Sequence, residues 1–373
     1  MKIAIEAQRI FRKAKHGMDI VILEIIRELQ RVDQSNEYYI LVAPGPDKCL
    51  SETHNFHIVE IKCPSYPLWE QIAMPFAMLR IKPDILHCTS NTAPLFCRVP
   101  LIITLHDIIF LEKKQSENSS TYQNLGRLYR RFIVPRVLAK SQKIITVSNF
   151  ERENISKRIN IDTTNIITIY NGYNRRFHPI VDYRHITKKY IDKDNYILFF
   201  GNTDPKKNTI RTLKAYALYV TQSTEPLPLL IVDLSAALIE QILEKENIGY
   251  IKPHIYCPGY IKNSDLPYIY NGAFVFVYTS LRESFGLPIL EAMGCGIPTI
   301  VSNTSAIPEI AGEKALFIDP YNEQDIADKL LLIMRDKQLY LQQVQYGKER
   351  VHLFSWENGA KKLIEVYKSV ICI

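Results

Sequence analysis

Residues 273–298 read AFVFVYTSLRESFGLPILEAMGCGIP, and the order of their parts predicts how this region folds. The run 273–280 is apolar and rich in β-branched and aromatic residues, which is typical of a strand buried on both faces. Glu283 follows at the carboxyl end of that strand. Pro288 suits the first turn of a helix, which we expect to continue to Gly294. The stretch therefore predicts a strand, a loop and a helix belonging to a parallel sheet.

The same alternation of apolar strand-like runs and amphipathic stretches continues through the chain. The segment 20–29, for example, repeats its apolar residues at helical spacing. This pattern predicts parallel, doubly wound α/β sheets, and a polar passage from Arg175 to Asp194 reads as a linker between two Rossmann-like domains. We expect the domains to span 1–178 and 179–355. The predicted strands are 3–7, 38–43, 57–61, 85–88, 101–105 and 143–147, then 196–200, 229–232, 254–257, 273–278, 299–302 and 315–318.

Composition excludes several classes of protein. Of the 373 residues, 47% are hydrophobic and 23% are charged, as in a folded globular protein with sizeable cores. No apolar run approaches the ~20 residues that cross a bilayer, and the chain opens on a strand-like run without a secretion signal. The seven cysteines form no Cys-x-x-Cys pair, so we expect thiols in a reducing cytoplasm. The net charge of +7 fits nucleic acid, anionic lipid or phosphorylated small molecules.

The loop and helix after the strand 273–278 carry the candidate donor site. Ligands of such sheets bind at the carboxyl ends of the strands, where Glu283 lies. The N-terminus of the following helix offers backbone N–H groups to a diphosphate, and Gly286 allows a close approach. We expect Glu291, inside the helix, to accept hydrogen bonds from a ribose diol. The alternative is two surface glutamates beside an ordinary helix. The predicted contacts at the helix N-terminus are Ser284, Phe285, Gly286 and Leu287.

The segment RESFGLPILEAMGCGIPTIVSN resembles the Glu-x7-Glu signature of the retaining glycosyltransferase family 4, and the likeness covers nearly the whole chain, including IYNGYNRRFHP and FGNTDPKKN. The resemblance implies the GT-B fold, in which two Rossmann-like domains face each other across a cleft. It also implies that a closing helix, here 356–373, crosses back to the first domain. Glu283 would contact the hydroxyls of the donor sugar and Glu291 the ribose. A nucleotide-diphosphate sugar would be the donor, with no cofactor and no metal required.

A lysine pair follows the strand 196–200. Breaking a nucleotide sugar leaves extra negative charge on the diphosphate, so cations at this strand end stabilise the transition state more than the ground state. Lys207 is the first candidate and Lys206 the second. A solvated basic turn is the alternative, and the family resemblance favours the phosphate role. Many members have arginine where this chain has Asn202, so the charge rests on the two lysines.

His106 and Gly17 are the candidates in the first half. His106 follows the strand 101–105, and the resemblance implies that it lies near the primary hydroxyl of the donor sugar; a structural histidine is the alternative. We do not assign a general base, because the leaving phosphate takes the acceptor proton in the mechanism usually described for the family. Gly17 opens the first helix, where relatives carry a glycine-rich loop that touches the donor or acceptor. A simple strand-to-helix turn is the alternative.

The stretch 126–143, GRLYRRFIVPRVLAKSQK, interleaves cations with apolar residues. Such a stretch can lie on an anionic membrane surface, and the resemblance implies sugar or lipid-linked glycan acceptors at the inner face of the bacterial membrane. A solvated helix packed on its own domain is the alternative. We therefore expect a cytoplasmic protein that is peripheral at that membrane.

Other functions remain open to this architecture. A GT-B-like nucleotide-sugar epimerase and a non-catalytic sugar-binding relative are the alternatives, whereas a nicotinamide-dependent oxidoreductase lacks its Gly-x-Gly-x-x-Gly motif. Nucleic-acid binding is not expected, because most aromatic residues lie in apolar strand runs. The lysine loop resembles that of polysaccharide and lipopolysaccharide mannosyltransferases. GDP-mannose is therefore favoured over a UDP-sugar as donor.

Overall fold

A computed structural model describes residues 1–13, 15, 17–111 and 121–371. The chain divides into two compact units, one comprising Met1–Gly172 with Ser355–Ile373 and the other Tyr173–Phe354. The boundary lies at Gly172, where the sequence analysis expects residue 178. The polar passage expected as a linker belongs to the second unit, because Phe177 is buried there and its ring centroid lies 5.6 Å from that of Tyr270.

The first unit is built on a seven-stranded parallel sheet with the order β3-β2-β1-β4-β5-β6-β7. Six strands confirm the predicted ones to within one residue at each end. The seventh, β7, was not predicted, since the strand is only three residues long and follows a polar turn. The strands are β1 Lys2–Glu6, β2 Glu37–Val42, β3 Phe56–Glu60, β4 Ile85–Cys88, β5 Leu101–Thr104, β6 Lys143–Thr146 and β7 Ile166–Thr168.

Helices cover both faces of this sheet. Between the second and third of them lies a π-helical turn, Trp69–Ala73, which carries the fully buried Glu70. The helices are α1 Gly17–Val32, α2 Tyr66–Leu68, α3 Met74–Ile81, α4 Thr121–Leu138 and α5 Asn149–Ile159. The basic stretch predicted at 126–143 therefore ends as a helix at Leu138, and Lys143 already belongs to β6.

The second unit contains a six-stranded parallel sheet with the order β10-β9-β8-β11-β12-β13. The strand order reverses between β8 and β11, which is where open α/β sheets bind ligands beyond their carboxyl ends. All six strands were predicted, because each contains an apolar run, although β10 ends two residues later than expected. Most of their residues are buried, except in β10, where all five are partly exposed. They are β8 Tyr196–Phe200, β9 Leu229–Val232, β10 Ile255–Gly259, β11 Ala273–Tyr278, β12 Thr299–Ser302 and β13 Leu316–Ile318.

The helices of the second unit pack on both faces of its sheet, and α7 and α12 lie against each other. The helix after the lysine loop, Thr209–Gln222, is fourteen residues long, and the helix after Gly286 begins at Leu287. The helices are α6 Arg184–Thr187, α7 Thr209–Gln222, α8 Ala236–Lys245, α9 Leu266–Gly272, α10 Leu287–Gly294, α11 Ile307–Ala311, α12 Glu323–Arg335 and α13 Lys337–Val351.

The closing helix, α14 Trp356–Ile371, packs against α1 of the first unit. Its buried stripe, which includes Leu363 and Tyr367, joins the core formed by β1, β2 and α1. The Tyr367 hydroxyl also lies 2.8 Å from Nδ1 of the buried His87 on β4. The chain therefore returns to the first unit after completing the second.

Candidate active site

Two loops meet at the strand-order reversal of the second unit. One follows β8 and carries the lysine pair; the other follows β11 and carries Glu283. The Leu281 N–H donates to the Lys206 carbonyl at 2.7 Å, and the Asn208 amide donates to the carbonyls of Thr279 and Pro320 at 3.2 and 2.7 Å. Asn208 has a left-handed φ of 61° and is buried. It therefore fixes the lysine loop against the end of β11, a role that the sequence analysis did not assign.

Lys207 and Glu283, predicted separately, form one ion pair. The Lys207 Nζ lies 2.5 Å from Glu283 Oε1, and their side chains are 26% and 14% exposed. The same ammonium lies 5.6 Å from the ring centroid of Tyr278. Burial, followed by the charge of Glu283, raises the pKa of Tyr278 well above its usual value. The Glu283 backbone N–H donates to Ser305 Oγ at 3.0 Å, so both ends of the residue are held.

The other predicted residues of the lysine loop stabilise the loop itself. Lys206 Nζ lies 3.5 Å from Asp204 Oδ2. The side-chain oxygen of Asn202 accepts from the Asp204 N–H at 2.9 Å, and its backbone exchanges hydrogen bonds with the Thr209 hydroxyl at 3.1 and 2.7 Å. Asn202 thus organises the turn before α7. Lys206 precedes Lys207 in the same loop, and its ammonium lies beside Asp204.

Helix α10 begins as the sequence predicts. Gly286 is its N-cap, with φ 107° and ψ 50°, a conformation that residues with a side chain rarely adopt. A Cβ there would lie 3.1 Å from Ile289 Cδ1. Phe285 is buried, and its ring packs edge-on against Phe354 with centroids 5.8 Å apart. Ser284 and Leu287 are partly buried on either side. That the backbone N–H groups at this end bind an anion stays a prediction.

Glu291 lies one turn into α10, in a different environment from Glu283. Its Oε2 accepts a hydrogen bond from the Tyr270 hydroxyl at 3.0 Å. Burial raises the pKa of Glu291 to about 7, while the Tyr270 hydrogen bond and the charge of Arg176 act in the opposite direction. Tyr270 and Arg176 were not singled out from the sequence, although Arg176 lies in the motif IYNGYNRRFHP.

In the first unit, His106 lies just beyond the carboxyl end of β5. Its backbone N–H donates to Asn91 Oδ1 at 2.6 Å, and its Nε2 lies 2.9 Å from the Thr89 carbonyl oxygen. Because a carbonyl can only accept, Nε2 carries the proton. Burial lowers the pKa of His106, which favours the neutral ring. The role that the resemblance implies for His106 stays a prediction.

Gly17 is the first residue of α1, and a Cβ at this position would meet no atom within 4 Å. Lys15, two residues earlier, pairs with Asp47. Packing therefore does not require glycine at position 17, and a contact of Gly17 with the donor stays a prediction. Within the described ranges, no three His, Cys, Asp or Glu side chains come together as metal ligands would. That the reaction needs no metal also stays a prediction.

Two family models match this chain. The model described as Glycosyltransferase Family 4 matches residues 16–177, and the model described as Glycosyl transferases group 1 matches residues 184–350. Together the two models cover most of the chain, which therefore belongs to the glycosyltransferases that they describe. Its second half, with the Glu283 and Lys207 loops, is the part that the group 1 model describes.

Among related sequences, the O-antigen chain mannosyltransferase B of Escherichia coli is 32% identical over 241 residues, which are 62% of this chain and 61% of that protein. The match thus spans about three fifths of that relative's length. Solved structures are similar over nearly the whole chain. Sucrose-phosphate synthase from Thermosynechococcus elongatus is 19% identical with a TM-score of 0.76, covering 100% of this chain and 99% of that one.

A second similar structure is Anabaena Alr3699/HepE in complex with UDP-glucose. It is 18% identical with a TM-score of 0.74, and the match covers 99% of this glycosyltransferase family member and 100% of that chain. At such identities the likeness shows the fold alone. The predicted fold, with two parallel Rossmann-like sheets and a closing helix in the first unit, is confirmed.

Proposed function

We propose that this family member is a retaining glycosyltransferase that moves a hexose from a nucleotide-diphosphate sugar to a sugar or lipid-linked glycan acceptor in bacterial surface polysaccharide synthesis. The ion pair between Lys207 and Glu283 carries the proposal, because it lies at the strand-order reversal of the second unit. The loop that contains Glu283 leads directly into the N-terminus of α10. A cation and backbone N–H donors suit a diphosphate, and a carboxylate suits the hydroxyls of a sugar.

Each group has a distinct role in the proposed donor complex. Lys207, with Lys206 next to it, meets the negative charge of the diphosphate together with the N-terminus of α10. Glu283 accepts hydrogen bonds from the hydroxyls of the sugar. Glu291 accepts from the ribose diol, since an ionised carboxylate is an acceptor only. In the proposed complex the ion pair between Lys207 and Glu283 is replaced: the diphosphate pairs with Lys207, and the sugar hydroxyls donate to Glu283.

The proposed reaction proceeds on one face of the sugar. The bond between C1 and the diphosphate oxygen breaks, and its electron pair leaves with that oxygen. The acceptor hydroxyl oxygen bonds to C1 from the same face, and its proton passes to the departing phosphate oxygen. The products are a glycoside with retained configuration and a nucleoside diphosphate. Lys207 stabilises the charge that grows on the diphosphate, and no protein nucleophile takes part.

We favour GDP-mannose as the donor. The related E. coli protein is called a mannosyltransferase, and the lysine loop resembles that of such enzymes. The similar structure that contains UDP-glucose supports a UDP-sugar as the next candidate, although that likeness extends only to the fold. The match covers only 61% of that relative, so its activity does not transfer directly to this chain. Both the donor and the acceptor are therefore proposals.

A screen of the purified protein tests the proposed activity. The protein is incubated with GDP-mannose and with UDP-, ADP- and dTDP-hexoses, with and without glycan acceptors, and release of nucleoside diphosphate is measured. We expect release from GDP-mannose, and little release by the Glu283→Ala variant. NMR of the product should show the anomeric configuration of the donor. Absence of turnover with every donor contradicts the proposed activity, an inverted anomer contradicts the mechanism, and a sugar isomer without transfer supports the epimerase.

We include a peripheral membrane location in the proposal, on the basis of α4. One side of this helix is buried in the first unit through Ile133, Val134 and Val137, while Leu128 and Phe132 are 65% and 52% exposed. These exposed side chains lie among cations: Arg136 stacks on the Phe132 ring at 3.8 Å, and Arg130 is partly exposed. Such a surface fits the boundary between acyl chains and anionic headgroups. No helix in the described part of the chain has the length and apolar character to cross a bilayer.

Flotation with liposomes of mixed zwitterionic and anionic lipids tests the membrane surface. The variant Leu128→Ser/Arg136→Glu should lose about tenfold or more of its binding, since each cation contributes about 1 kcal/mol near an anionic surface. Leu341→Ser is the matched control, because Leu341 is 56% exposed on α13 of the second unit. Equal flotation of the wild type and the α4 variant would remove α4 from the membrane interface.

A further inference from the structure

In the part of the chain that the structure describes, the Tyr270 hydroxyl donates a hydrogen bond to the Glu291 carboxylate. Tyr270 lies on α9 and is fully buried, and its hydroxyl is 3.0 Å from Glu291 Oε2. A carboxylate has two oxygens, so a donor on Oε2 fixes the plane of the group and leaves Oε1 to accept from a ligand. The bond joins residues that are 21 positions apart, on different helices.

Three aromatic rings hold Tyr270 in this position. Its ring centroid lies 5.6 Å from those of Phe177 and Phe200 and 5.5 Å from that of Phe276. The helix that carries it is also held closely, because Tyr196 donates to the carbonyl of Ile269 at 2.6 Å. Neither the ring nor its helix can move away without breaking these contacts. The hydroxyl is thus aimed at one point on α10.

We propose that Tyr270 is a positioning residue for the nucleoside end of the donor, and that its hydroxyl orients the Glu291 carboxylate toward the ribose diol. This inference rests on the proposed function, because it assumes that Glu291 binds ribose. Tyr270 need not touch the donor. It acts through Glu291, and its loss should therefore change nucleotide affinity much more than the rate of the chemical step.

The charge state of Glu291 gives the inference a second, independent readout. Burial raises the pKa of Glu291 to about 7, and the Tyr270 hydrogen bond lowers it. Removal of the hydroxyl should therefore raise the pKa further, so that a larger fraction is protonated at neutral pH. A protonated carboxyl offers fewer acceptor sites, and affinity falls as pH falls through that pKa. The titratable groups around Glu291 and α10 are Arg176, Tyr270, Tyr278, Cys295, Glu309 on α11 and Lys348 on α13.

A double-mutant cycle measured by calorimetry tests this inference with GDP and with UDP. The proteins are the wild type, Tyr270→Phe, Glu291→Gln and the double variant, each titrated from about pH 6 to about pH 9. Tyr270→Phe keeps the ring and its packing. We expect it to weaken nucleotide binding about tenfold at neutral pH and to move the pH midpoint upward. In the Glu291→Gln background, it should change affinity by less than about twofold.

The matched control is Tyr216→Phe, since the Tyr216 ring is buried in the same unit and its hydroxyl donates to the Leu227 carbonyl at 2.8 Å. It should leave the affinity and its pH midpoint unchanged. Equal effects of Tyr270→Phe with and without Glu291 would overturn the inference and leave the proposed function standing. If the wild type binds neither nucleotide at any pH, the proposed function fails, and the inference fails with it.

Discussion

The two glutamates of residues 283–291 are the same type of residue, but they lie in different surroundings. Glu283 lies in a loop, paired with the Lys207 ammonium at 2.5 Å. Glu291 lies within α10, where Tyr270 is its hydrogen-bond donor and Arg176 supplies only a longer-range charge. Loop and helix therefore give the two carboxylates different partners within one short segment.

The difference indicates how the work of binding and of chemistry is divided. In the proposed donor complex, the Lys207 cation beside Glu283 stabilises the charge that develops on the diphosphate, so its effect is largest in the transition state. The Glu291 region contains a partly buried carboxylate that is suited to neutral hydroxyl donors. In the proposed donor complex, it contributes equally to the ground state and the transition state, because the ribose does not change during the reaction. Variants in the two regions should therefore change different kinetic constants.

The largest effect is expected from Lys207→Ala. Removal of a cation that stabilises the leaving diphosphate should lower kcat by about 10²–10³-fold. Steady-state kinetics with the donor identified in the screen measure this change. Lys214→Ala is the control, because Lys214 on α7 pairs with Glu246 at 2.7 Å and should leave kcat unchanged. A fall in donor affinity with kcat intact would show that Lys207 binds the ground state only, and the comparison would fail.

A smaller effect, on a different constant, is expected from Glu291→Gln. Loss of charge-assisted hydrogen bonds to the ribose should raise the donor KM by about ten- to a hundredfold, with kcat changed little. In the wild type, KM should rise as pH falls through the pKa of Glu291, about 7, because protonation removes acceptor capacity. The variant should lack this rise. A pH profile of KM that is the same in both proteins would assign the titration to another group.

Glu291→Gln, which should weaken donor binding, should increase the free energy of unfolding. The pKa of Glu291 in the folded protein, about 7, is above its ordinary value of 4.5, so the folded state binds more protons between these values. The free energy of unfolding is then reduced as pH rises from 4.5 to 7. Glu291→Gln should raise it by about 1–2 kcal/mol at pH 8, a value discounted for solvent screening. Urea unfolding at pH 8 and at pH 4 measures the difference, which should disappear at the lower pH.

The sequence predicted the elements better than the contacts between them. Strands such as 273–278 are recognisable because each is a continuous apolar run, and the rule on strand ends placed Glu283 and Lys207 at one edge. Their pairing could not be predicted, since they are 76 positions apart and only the parallel pairing of β8 with β11 brings them together. Tyr270 could not be distinguished from an ordinary core tyrosine for the same reason.

The linker shows a different limit. The passage from Arg175 to Asp194 is polar and basic. Its composition, averaged over the passage, predicts a segment that lies outside the folded units. Single residues decide its structure instead: Phe177 inserts its ring beside Tyr270, and Ile191 is buried. The segment also brings Arg176 near Glu291. A window average cannot detect two anchoring side chains among cations, so the predicted domain boundary fell within the second unit.

The smallest effect is expected at Gly286, the residue that separates the two regions. Its φ of 107° is strained for any residue with a Cβ, and the added atom would lie 3.1 Å from Ile289. Gly286→Ala should therefore lower the free energy of unfolding by about 1–2 kcal/mol and raise the donor KM several-fold, because the α10 N-terminus must shift. Gly17→Ala is the matched substitution, since that site is open and already helical. It should leave stability unchanged or slightly higher, and equal losses at both positions would mean that α10 does not depend on this backbone conformation.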